Sequence, residues 1–519
     1  MKVFMQYLCP HWIIIQMIMQ TIILGTQQVQ TYQTPYFTDP SRVSKVLALR
    51  KEIESLYSEY AQKYHFPGYA YGVVVDNQLV MTGGNGFLDL KKKYIVNNES
   101  MFRIASMTKS FTAMAVLKLR DDNKLKLDDP IHLYIPEIQN LKLPLDAPQI
   151  TIRDLLTHSA GFPTDDPWAD RKLQETEEQF TELLKKGVFF AHTPGTTYEY
   201  SNLGYTLLGY IIHKITGISY EEYINQYILQ PLQIQDMQWD YTKVSALNLA
   251  NGYSWINNDW KEEELLKPGI FGAMGGLIAS IKSFSQYVSF HLAAWPPRDD
   301  FDTGHPIKRS SLREMQQPWN FRSLLVDQYP DGQQRIISSS YGYGLIWLKD
   351  NLERVYVGHS GGLPGFGSNW WIMPEYGVGV ILFANVTYAP AFKINLDILD
   401  VLIKKAGLNP RQIPASDIMK DRKKALVQLL PEWKNALASP IFADNFFLDQ
   451  SLDALKEESL SLCHKAGKIK TIHEVVSINA LKGSFIVEGE KLNLKIKFSL
   501  TPDNPPLIQK YQIQEVNMR

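Results

Sequence analysis

The sequence predicts an α/β protein of the α+β kind: an antiparallel sheet flanked by helices with a helical subdomain, followed by a small C-terminal α+β domain. Two observations predict the larger domain, with its antiparallel sheet. A strand from Tyr69 to Val75 turns at Asp76-Asn77 into QLVMTGG, and two strand-like segments, RVYVGHSGG and WWIMPEYGVGVILFANV, come much later. A long, mostly helical stretch separates them. We therefore expect both ends of the domain to close one sheet around a helical insertion.

Three predicted helices frame the segments that matter most. Apolar residues at helical spacing predict one helix from Val43 to Tyr64, which Pro67 and Gly68 end. A second begins near Ser106 and continues through FTAMAVLKL. A third, short helix is predicted from Ile150 to His158, with Thr151 as its N-cap.

Composition divides the chain into four parts. Lys2 and the apolar stretch from Trp12 to Leu24 make residues 1–25 a secretory signal peptide or an N-terminal anchor. A cleaved signal is favoured, because this stretch contains Gln16 and Gln20 and is shorter than the ~20 residues that span a bilayer. Residues 26–42 are then a linker, residues 43–408 the large domain, and residues 417–519 the small accessory domain.

This N-terminus predicts an exported protein, periplasmic or secreted, with a bacterial envelope favoured. Cys9 and Cys463 are the two cysteines, so removal of the signal leaves one thiol and no intramolecular disulfide. Membrane association is expected only through the N-terminal segment.

The charge balance and the histidine pattern exclude several function classes. Lys and Arg total 53 against 54 Asp and Glu, so no nucleic-acid partner is indicated. The 11 histidines contain no HExxH pattern, and no cysteine pair could frame a zinc site. We expect neither a metal nor another cofactor, and a small-molecule substrate.

The first chemical motif is Ser106-Met107-Thr108-Lys109, in FRIASMTKSFTAMAV. An S-x-x-K spacing at a helix start places the hydroxyl and the amine one turn apart on the same face. The lysine can then take the hydroxyl proton if burial lowers its pKa. A capping serine with a solvated lysine is the simpler interpretation, but the strongly apolar helix that follows predicts an inward-facing first turn.

Two further motifs carry groups that suit acyl transfer. Tyr200-Ser201-Asn202 offers a phenol as proton relay and a carboxamide that could hold a substrate amide. His359-Ser360-Gly361 ends a predicted strand, where a substrate backbone could lie as an added strand, with Gly361 leaving room for its approach. The backbone N–H groups of Gly362 and Ser106 could form an oxyanion hole.

The segment from Gly358 to Gly362 also matches G-x-S-x-G, the nucleophile elbow of α/β-hydrolases, with Ser360 as nucleophile. That elbow requires a long helix directly after the serine. LPGFGSNWW follows instead, and later histidines occur only in the tail, at His464 and His473. We therefore reject this alternative.

With its motifs in the order S-x-x-K, Y-x-N and H-x-G, the chain resembles the serine β-lactamase and penicillin-binding-protein superfamily, and most of all its class C β-lactamase-related branch of serine hydrolases. Four further segments also resemble family signatures: KLKLDDPIHLYIPE, ITIRDLLTHSAGF, GGLIAS and YGYGLIW. The resemblance covers residues 45–405 and implies a β-lactamase-like domain. His158, within LLTHSAG, is interpreted as structural.

The resemblance implies that Ser106 attacks a carbonyl, forms an acyl-enzyme and is released by water, with Lys109 and Tyr200 sharing the proton transfers. Which of these two is the base stays open. Asn202, His359, Ser360 and Gly361 are implied to bind substrate. His359 stands where β-lactamases carry lysine, which favours esterase or D-amino-acid peptidase chemistry over efficient β-lactamase activity. The alternative is a penicillin-binding or sensing protein that is acylated without efficient turnover.

Overall fold

The computed structural model describes residues 32–140, 143–302 and 304–516. These residues fall into two units, the larger being Asp39–Pro410 and the smaller combining residues 32–38 and 411–516. The predicted signal or anchor, residues 1–25, lies outside the described residues. Among the described residues, no helix has both the length and the apolar character needed to span a bilayer.

One antiparallel sheet organises the larger unit. Its strands and the short strands beside it are β1 (Gly68–Val75), β2 (Gln78–Asp89), β3 (Tyr94–Ile95), β4 (Phe102–Arg103), β5 (Gly252–Ile256), β6 (Asp259–Glu263), β7 (Ile278–Ala279), β8 (Asn320–Gln328), β9 (Gln334–Tyr341), β10 (Ile346–Asp350), β11 (Val355–Leu363), β12 (Phe366–Met373) and β13 (Val378–Ala384). In the described chain, nine strands pair in the order β3-β2-β1-β13-β12-β11-β10-β9-β8. Tyr69 of β1 pairs with Ala384 of β13, so the predicted closure by both ends of the domain is confirmed.

Helices cover this sheet and fill the insertion. They are α1 (Arg42–Ala48), α2 (Arg50–Lys63), α3 (Lys109–Asp121), α4 (Ile152–Leu156), α5 (Asp166–Ala169), α6 (Glu177–Lys186), α7 (Asn202–Thr216), α8 (Tyr220–Ile224), α9 (Gly272–Gly275), α10 (Ile281–Ala293), α11 (Arg309–Met315) and α12 (Ala391–Lys405). Thr151 caps α4 with a capping box through Asp154, as predicted. The single helix predicted from Val43 to Tyr64 is wrong, because the backbone at Leu49 (φ −88°, ψ 4°) leaves the helical region and its N–H bonds to Val46 three residues back.

The central helix α3 is buried along its first nine residues. Every residue from Lys109 to Leu117 is buried, and Phe111 stacks on Tyr287 of α10 at 3.8 Å between ring centroids. The predicted inward-facing first turn is confirmed. This burial fixes Lys109 at the start of α3, inside the protein.

The smaller unit combines helices with one antiparallel sheet, which confirms the predicted α+β tail. Its elements are α13 (Asp417–Leu429), α14 (Phe446–Asp449), α15 (Leu452–Ala466), β14 (Ile469–Ile472), β15 (Val476–Asn479), β16 (Lys482–Gly489), β17 (Asn493–Leu500) and β18 (Ile508–Val516). Its core contains Trp433, Phe485 and Phe498.

Candidate active site

Ser106 lies on a single 3₁₀ turn, Ala105–Thr108, which runs directly into α3. Ala105 has φ of 50°, a left-handed conformation that costs about 1 kcal/mol for a residue with a Cβ. The strained residue precedes the serine, and the turn holds Ser106 at 7% exposure. A strained, fixed backbone of this kind is typical of a functional position.

The Lys109 amine lies within hydrogen-bond distance of the Ser106 hydroxyl. Its Nζ is 3.0 Å from Ser106 Oγ and donates to Asn202 Oδ1 at 2.6 Å and to the Met274 carbonyl at 2.9 Å. Burial lowers the pKa of Lys109 to about 8, against the opposing influence of the Asp166 carboxylate. A substantial fraction of the amine is therefore neutral near pH 8, as a general base requires.

Asn202 does not face the substrate, contrary to the sequence prediction. Its side chain is fully buried at the start of α7, where Oδ1 accepts from Lys109 and Nδ2 donates to Asp166 Oδ1 at 2.8 Å. Both ends of the amide are thus used inside the protein. Asn202 positions Lys109 and links it to the Asp166 carboxylate.

Tyr200 lines the cavity above Ser106, with Lys109 Nζ 4.9 Å from the centre of its ring. Burial, followed by the nearby Asp166 charge, raises the pKa of Tyr200 well above its ordinary value. The phenol is therefore protonated at neutral pH and can donate a proton.

His158 supports the segment that carries Tyr200. Its Nδ1 accepts a hydrogen bond from the Ser201 N–H at 3.1 Å, and its ring lies 4.5 Å from the Tyr200 ring. Burial lowers its pKa well below the ordinary value, so the imidazole is neutral. These contacts fit the structural role predicted for it.

Strand β11 offers a free edge beside Ser106. Pairing with β10 stops at Gly358, opposite Ile346, whereas pairing with β12 continues to Leu363. Residues 359–362 therefore carry backbone groups that face the cavity without a strand partner from β10. An extended substrate could add there as a strand.

Gly361 is required for a different reason from the one predicted. A Cβ at this position would lie 2.2 Å from the Ile104 carbonyl oxygen and 3.0 Å from the Ala105 Cβ. The glycine therefore lets β11 pack directly on the turn that carries Ser106. Gly362 and Ser106 line the same cavity.

His359 lines the cavity, but its ring nitrogens are not available to a substrate, which corrects the predicted side-chain contact. Nδ1–H donates to the Ser360 carbonyl, and Nε2 accepts from the Tyr341 hydroxyl at 2.8 Å. Burial first, and then the Lys109 charge, lower the pKa of His359 to about 3. The ring is therefore neutral near pH 7.

Ser360 is not on a nucleophile elbow. Its Oγ accepts from Asn369 Nδ2 at 3.0 Å, and β11 continues into the hairpin with β12 where an elbow would have a helix. The rejection of the elbow is confirmed. In the described part of the chain, no three His, Cys, Asp or Glu side chains are grouped to hold a metal ion.

A family model described as Beta-lactamase matches residues 53–403, the stretch that contains every one of these groups. The chain belongs to the β-lactamase family. The resemblance found from the motifs is thereby confirmed, and with it the serine hydrolase fold of the β-lactamases and penicillin-binding proteins.

Curated relatives agree with this assignment to the β-lactamase family. Protein flp of Staphylococcus aureus (strain MW2) is 27% identical over 351 residues, which are 66% of this chain and 64% of that protein. The matched stretch thus spans less than two thirds of flp. The unguisins hydrolase ungD' of Aspergillus campestris is 26% identical over 374 residues, 70% of this chain and 66% of that protein.

One solved structure has a similar fold over most of this chain. The octameric penicillin-binding protein homologue from Pyrococcus abyssi matches with a TM-score of 0.57 and 22% identity, covering 89% of this chain and 99% of that one. At this identity the likeness concerns the fold alone.

In this β-lactamase family member, the cavity beside Ser106 has a volume of about 430 Å³. Several lining residues belong to none of the motifs or signature segments, so motifs alone do not find them: Asp166, Tyr198, Arg322, Tyr388 and Phe392. The Y-x-N spacing selects Tyr200 over Tyr198, yet both face the cavity. No motif in β8 marks Arg322, because its place beside the cavity depends on strand pairing.

Proposed function

We propose that this protein hydrolyses an ester, amide or D-amino-acid peptide bond through an acyl-enzyme on Ser106. One observation carries the proposal: Lys109 Nζ lies 3.0 Å from Ser106 Oγ, and its pKa is lowered to about 8 by burial. A neutral amine at this distance can accept the hydroxyl proton as Oγ attacks the substrate carbonyl.

We assign the base to Lys109 and the acid to Tyr200. The raised pKa of Tyr200 keeps its phenol protonated, so it cannot accept the first proton at neutral pH. Lys109 takes the Ser106 proton, and Tyr200 donates its own proton to the leaving group as the carbonyl–leaving-group bond breaks. The proton on Lys109 then replaces the one lost by Tyr200, which returns both groups to their starting states.

The second half of the reaction uses Lys109 again. The neutral Lys109 amine accepts a proton from water as that water attacks the ester carbonyl on Ser106, and it returns the proton to Ser106 Oγ as the ester bond breaks. During both steps the developing oxyanion would be held by the backbone N–H groups of Ser106 and Gly362, two residues that line the same cavity. Backbone groups of residues 359–362 would hold the extended substrate.

The neutral His359 argues against efficient β-lactam hydrolysis. A β-lactam carries a carboxylate, and the His359 ring offers it neither charge nor a free N–H. We therefore favour esterase or D-peptidase chemistry. We also propose, from the N-terminal sequence, that the protein acts outside the cytoplasm.

Intact mass and peptide mapping after incubation with a fluorophosphonate test the proposal. We expect one adduct, on Ser106, that is absent from the Ser106→Ala variant. Ser360→Ala, which removes the serine of the rejected elbow, should still be labelled at Ser106. Absence of any Ser106 adduct in a folded protein would refute the proposal.

Incubation with a penicillin separates the hydrolase from the alternative. A fleeting or absent adduct is expected for an esterase or peptidase. A penicillin adduct on Ser106 that persists for hours would instead indicate a penicillin-binding or sensing protein.

A further inference from the structure

Tyr388 forms one wall of the Ser106 cavity, directly beside Gly362. A Cβ added to Gly362 would lie 2.5 Å from Tyr388 Cδ1, so the tyrosine ring covers this glycine. The side chain is 46% exposed, which makes its ring accessible to a substrate in the cavity. Tyr388 belongs to none of the three chemical motifs, and the proposed acyl transfer uses none of its atoms.

Backbone and side-chain contacts hold Tyr388 in this position. Its φ is 50°, a left-handed conformation that is unfavourable for a residue with a Cβ. Its N–H donates to the Phe366 carbonyl at 3.1 Å, and its hydroxyl donates to Asp170 Oδ2 at 2.7 Å. Asp170 is itself buried. Backbone strain that the fold maintains in this way is typical of functional positions.

The hydrogen bond between Tyr388 and Asp170 separates two cavities. Tyr388 lines the Ser106 cavity, whereas Asp170 lines a second cavity of about 270 Å³. Leu363, the residue after Gly362 on β11, also lines the second cavity. The tyrosine ring and its bond to Asp170 therefore divide the space beside Ser106 from further space in the direction in which β11 continues.

The position along β11 indicates which half of the substrate meets Tyr388. The ring of Tyr200, which would protonate the leaving group, lies 6.4 Å from the His359 ring between centroids. Gly362 is three residues further along the strand, or about 10 Å at about 3.3 Å per residue. A substrate on this edge thus has its leaving group toward His359 and its acyl group toward Gly362 and Tyr388.

We propose that Tyr388 limits the length of the acyl group that this enzyme accepts. This inference rests on the proposed hydrolysis at Ser106 and adds a specificity-determining residue to it. The ring closes the acyl end of the cavity and keeps the second cavity out of reach. The preferred substrates are accordingly esters or amides of short acyl groups.

Two neutral chromogenic esters test the inference. 4-Nitrophenyl acetate has a short acyl group, and 4-nitrophenyl hexanoate has the same leaving group and a longer acyl chain. The ratio of kcat/KM for hexanoate over acetate, corrected for spontaneous hydrolysis, is measured in wild type, Tyr388→Gly, Tyr388→Phe and Ser106→Ala. Glycine removes the ring and adopts a positive φ without strain, so this variant should fold. Tyr227→Ala is the control, because it removes a tyrosine of similar exposure, 38%, that lies outside the lining of the Ser106 cavity.

Tyr388→Gly should raise the ratio about 10- to 50-fold, mainly through a lower KM for hexanoate, because each methylene that becomes buried is worth about fourfold in binding. Tyr388→Phe loses only the hydroxyl bond to Asp170, so its ring is held less firmly and the ratio should rise about two- to fivefold. Tyr227→Ala should leave the ratio unchanged.

A wild-type ratio in Tyr388→Gly, or an equal change in kcat/KM for both esters, would overturn the inference. If Tyr388→Gly did not fold, an unchanged ratio in Tyr388→Phe would overturn it instead. Hydrolysis of both esters that persisted in Ser106→Ala would refute the proposed function, and this inference with it. Ser106-dependent turnover with an unchanged ratio would refute the role of Tyr388 alone.

Discussion

Replacing Asp166 by Asn should move the pH dependence of catalysis toward acid. Asp166 Oδ1 accepts from Asn202 Nδ2 at 2.8 Å, and Asn202 Oδ1 accepts from Lys109 Nζ at 2.6 Å. The carboxylate is the strongest of three neighbouring charges that favour the protonated lysine, ahead of Asp170 and Asp165. The side-chain amide introduced by Asp166→Asn would keep an oxygen for Asn202 and remove only the charge.

The magnitude follows from the geometry across the Asn202 amide. The two hydrogen bonds and the amide between them separate the Lys109 and Asp166 charges by about 7 Å, for which an effective dielectric constant near 20 gives about 2.4 kcal/mol. That energy corresponds to at most ~1.7 pKa units. Water in the cavity screens the half-buried Asp166, so we expect a shift of about one unit.

The direction of the shift is fixed by charge. Loss of a nearby negative charge destabilises the ammonium form and lowers the Lys109 pKa from about 8 toward about 7. The neutral fraction at pH 7 then rises about fivefold, and kcat/KM at that pH rises with it. Tyr200 and Tyr205, whose pKa values are raised, and His158 and His359, whose pKa values are lowered, do not titrate in this range.

The assay is kcat/KM for a neutral chromogenic ester between pH 5.5 and 9.5. Asp170, whose pKa burial raises to about 7, ionises within this range, so the curves are fitted with two groups. Asp128→Asn is the control, because Asp128 is an exposed partner of Arg153. If the rise of kcat/KM with pH stayed at the same pH or moved to higher pH in Asp166→Asn, while Asp128→Asn behaved like wild type, Lys109 would be refuted as the base.

Three further changes test separate parts of the account. Tyr200→Phe should lower kcat/KM by about 10²- to 10⁴-fold, but the rise of kcat/KM with pH near pH 8 should remain. Loss of that rise would indicate that Tyr200 is the base. Gly361→Ala should lower the melting temperature in calorimetry by the equivalent of about 1–3 kcal/mol, since its Cβ would meet the Ile104 carbonyl; unchanged melting would contradict this packing. Asp400→Ala leaves Arg335 and Arg354 without their shared buried carboxylate and should cost about 3–5 kcal/mol in urea unfolding; a neutral effect would show that the network is dispensable.

The sequence alone was sufficient to predict the parts of the site in which the functional residues lie close together in the chain. Ser106 and Lys109 share one helical turn, and this local geometry together with an apolar helix is readable without a structure. The free edge of β11 also followed from a strand that ends in small residues. The break at Leu49 was not readable, because no glycine or proline marks it.

The motifs could not predict the roles of residues whose partners are distant in the chain. Asn202 was expected to contact substrate, but its partner Asp166 lies 36 positions earlier and belongs to no recognised pattern. The charge of His359 depends on its burial and on Tyr341 from β9, neither of which its own sequence neighbours encode. Arg322 lines the cavity and is the extra residue at a bulge in pairing with β9, a long-range feature of register that no motif encodes.

Trapping the acyl-enzyme tests the central claim most directly. An ester substrate is mixed with the protein, quenched in acid within milliseconds to seconds, and analysed by intact mass and peptide mapping. We expect a mass increase equal to the acyl group on the peptide that contains Ser106, appearing before steady turnover and absent in Ser106→Ala. Turnover that persists in Ser106→Ala, or an acyl group mapped to another residue, would contradict it.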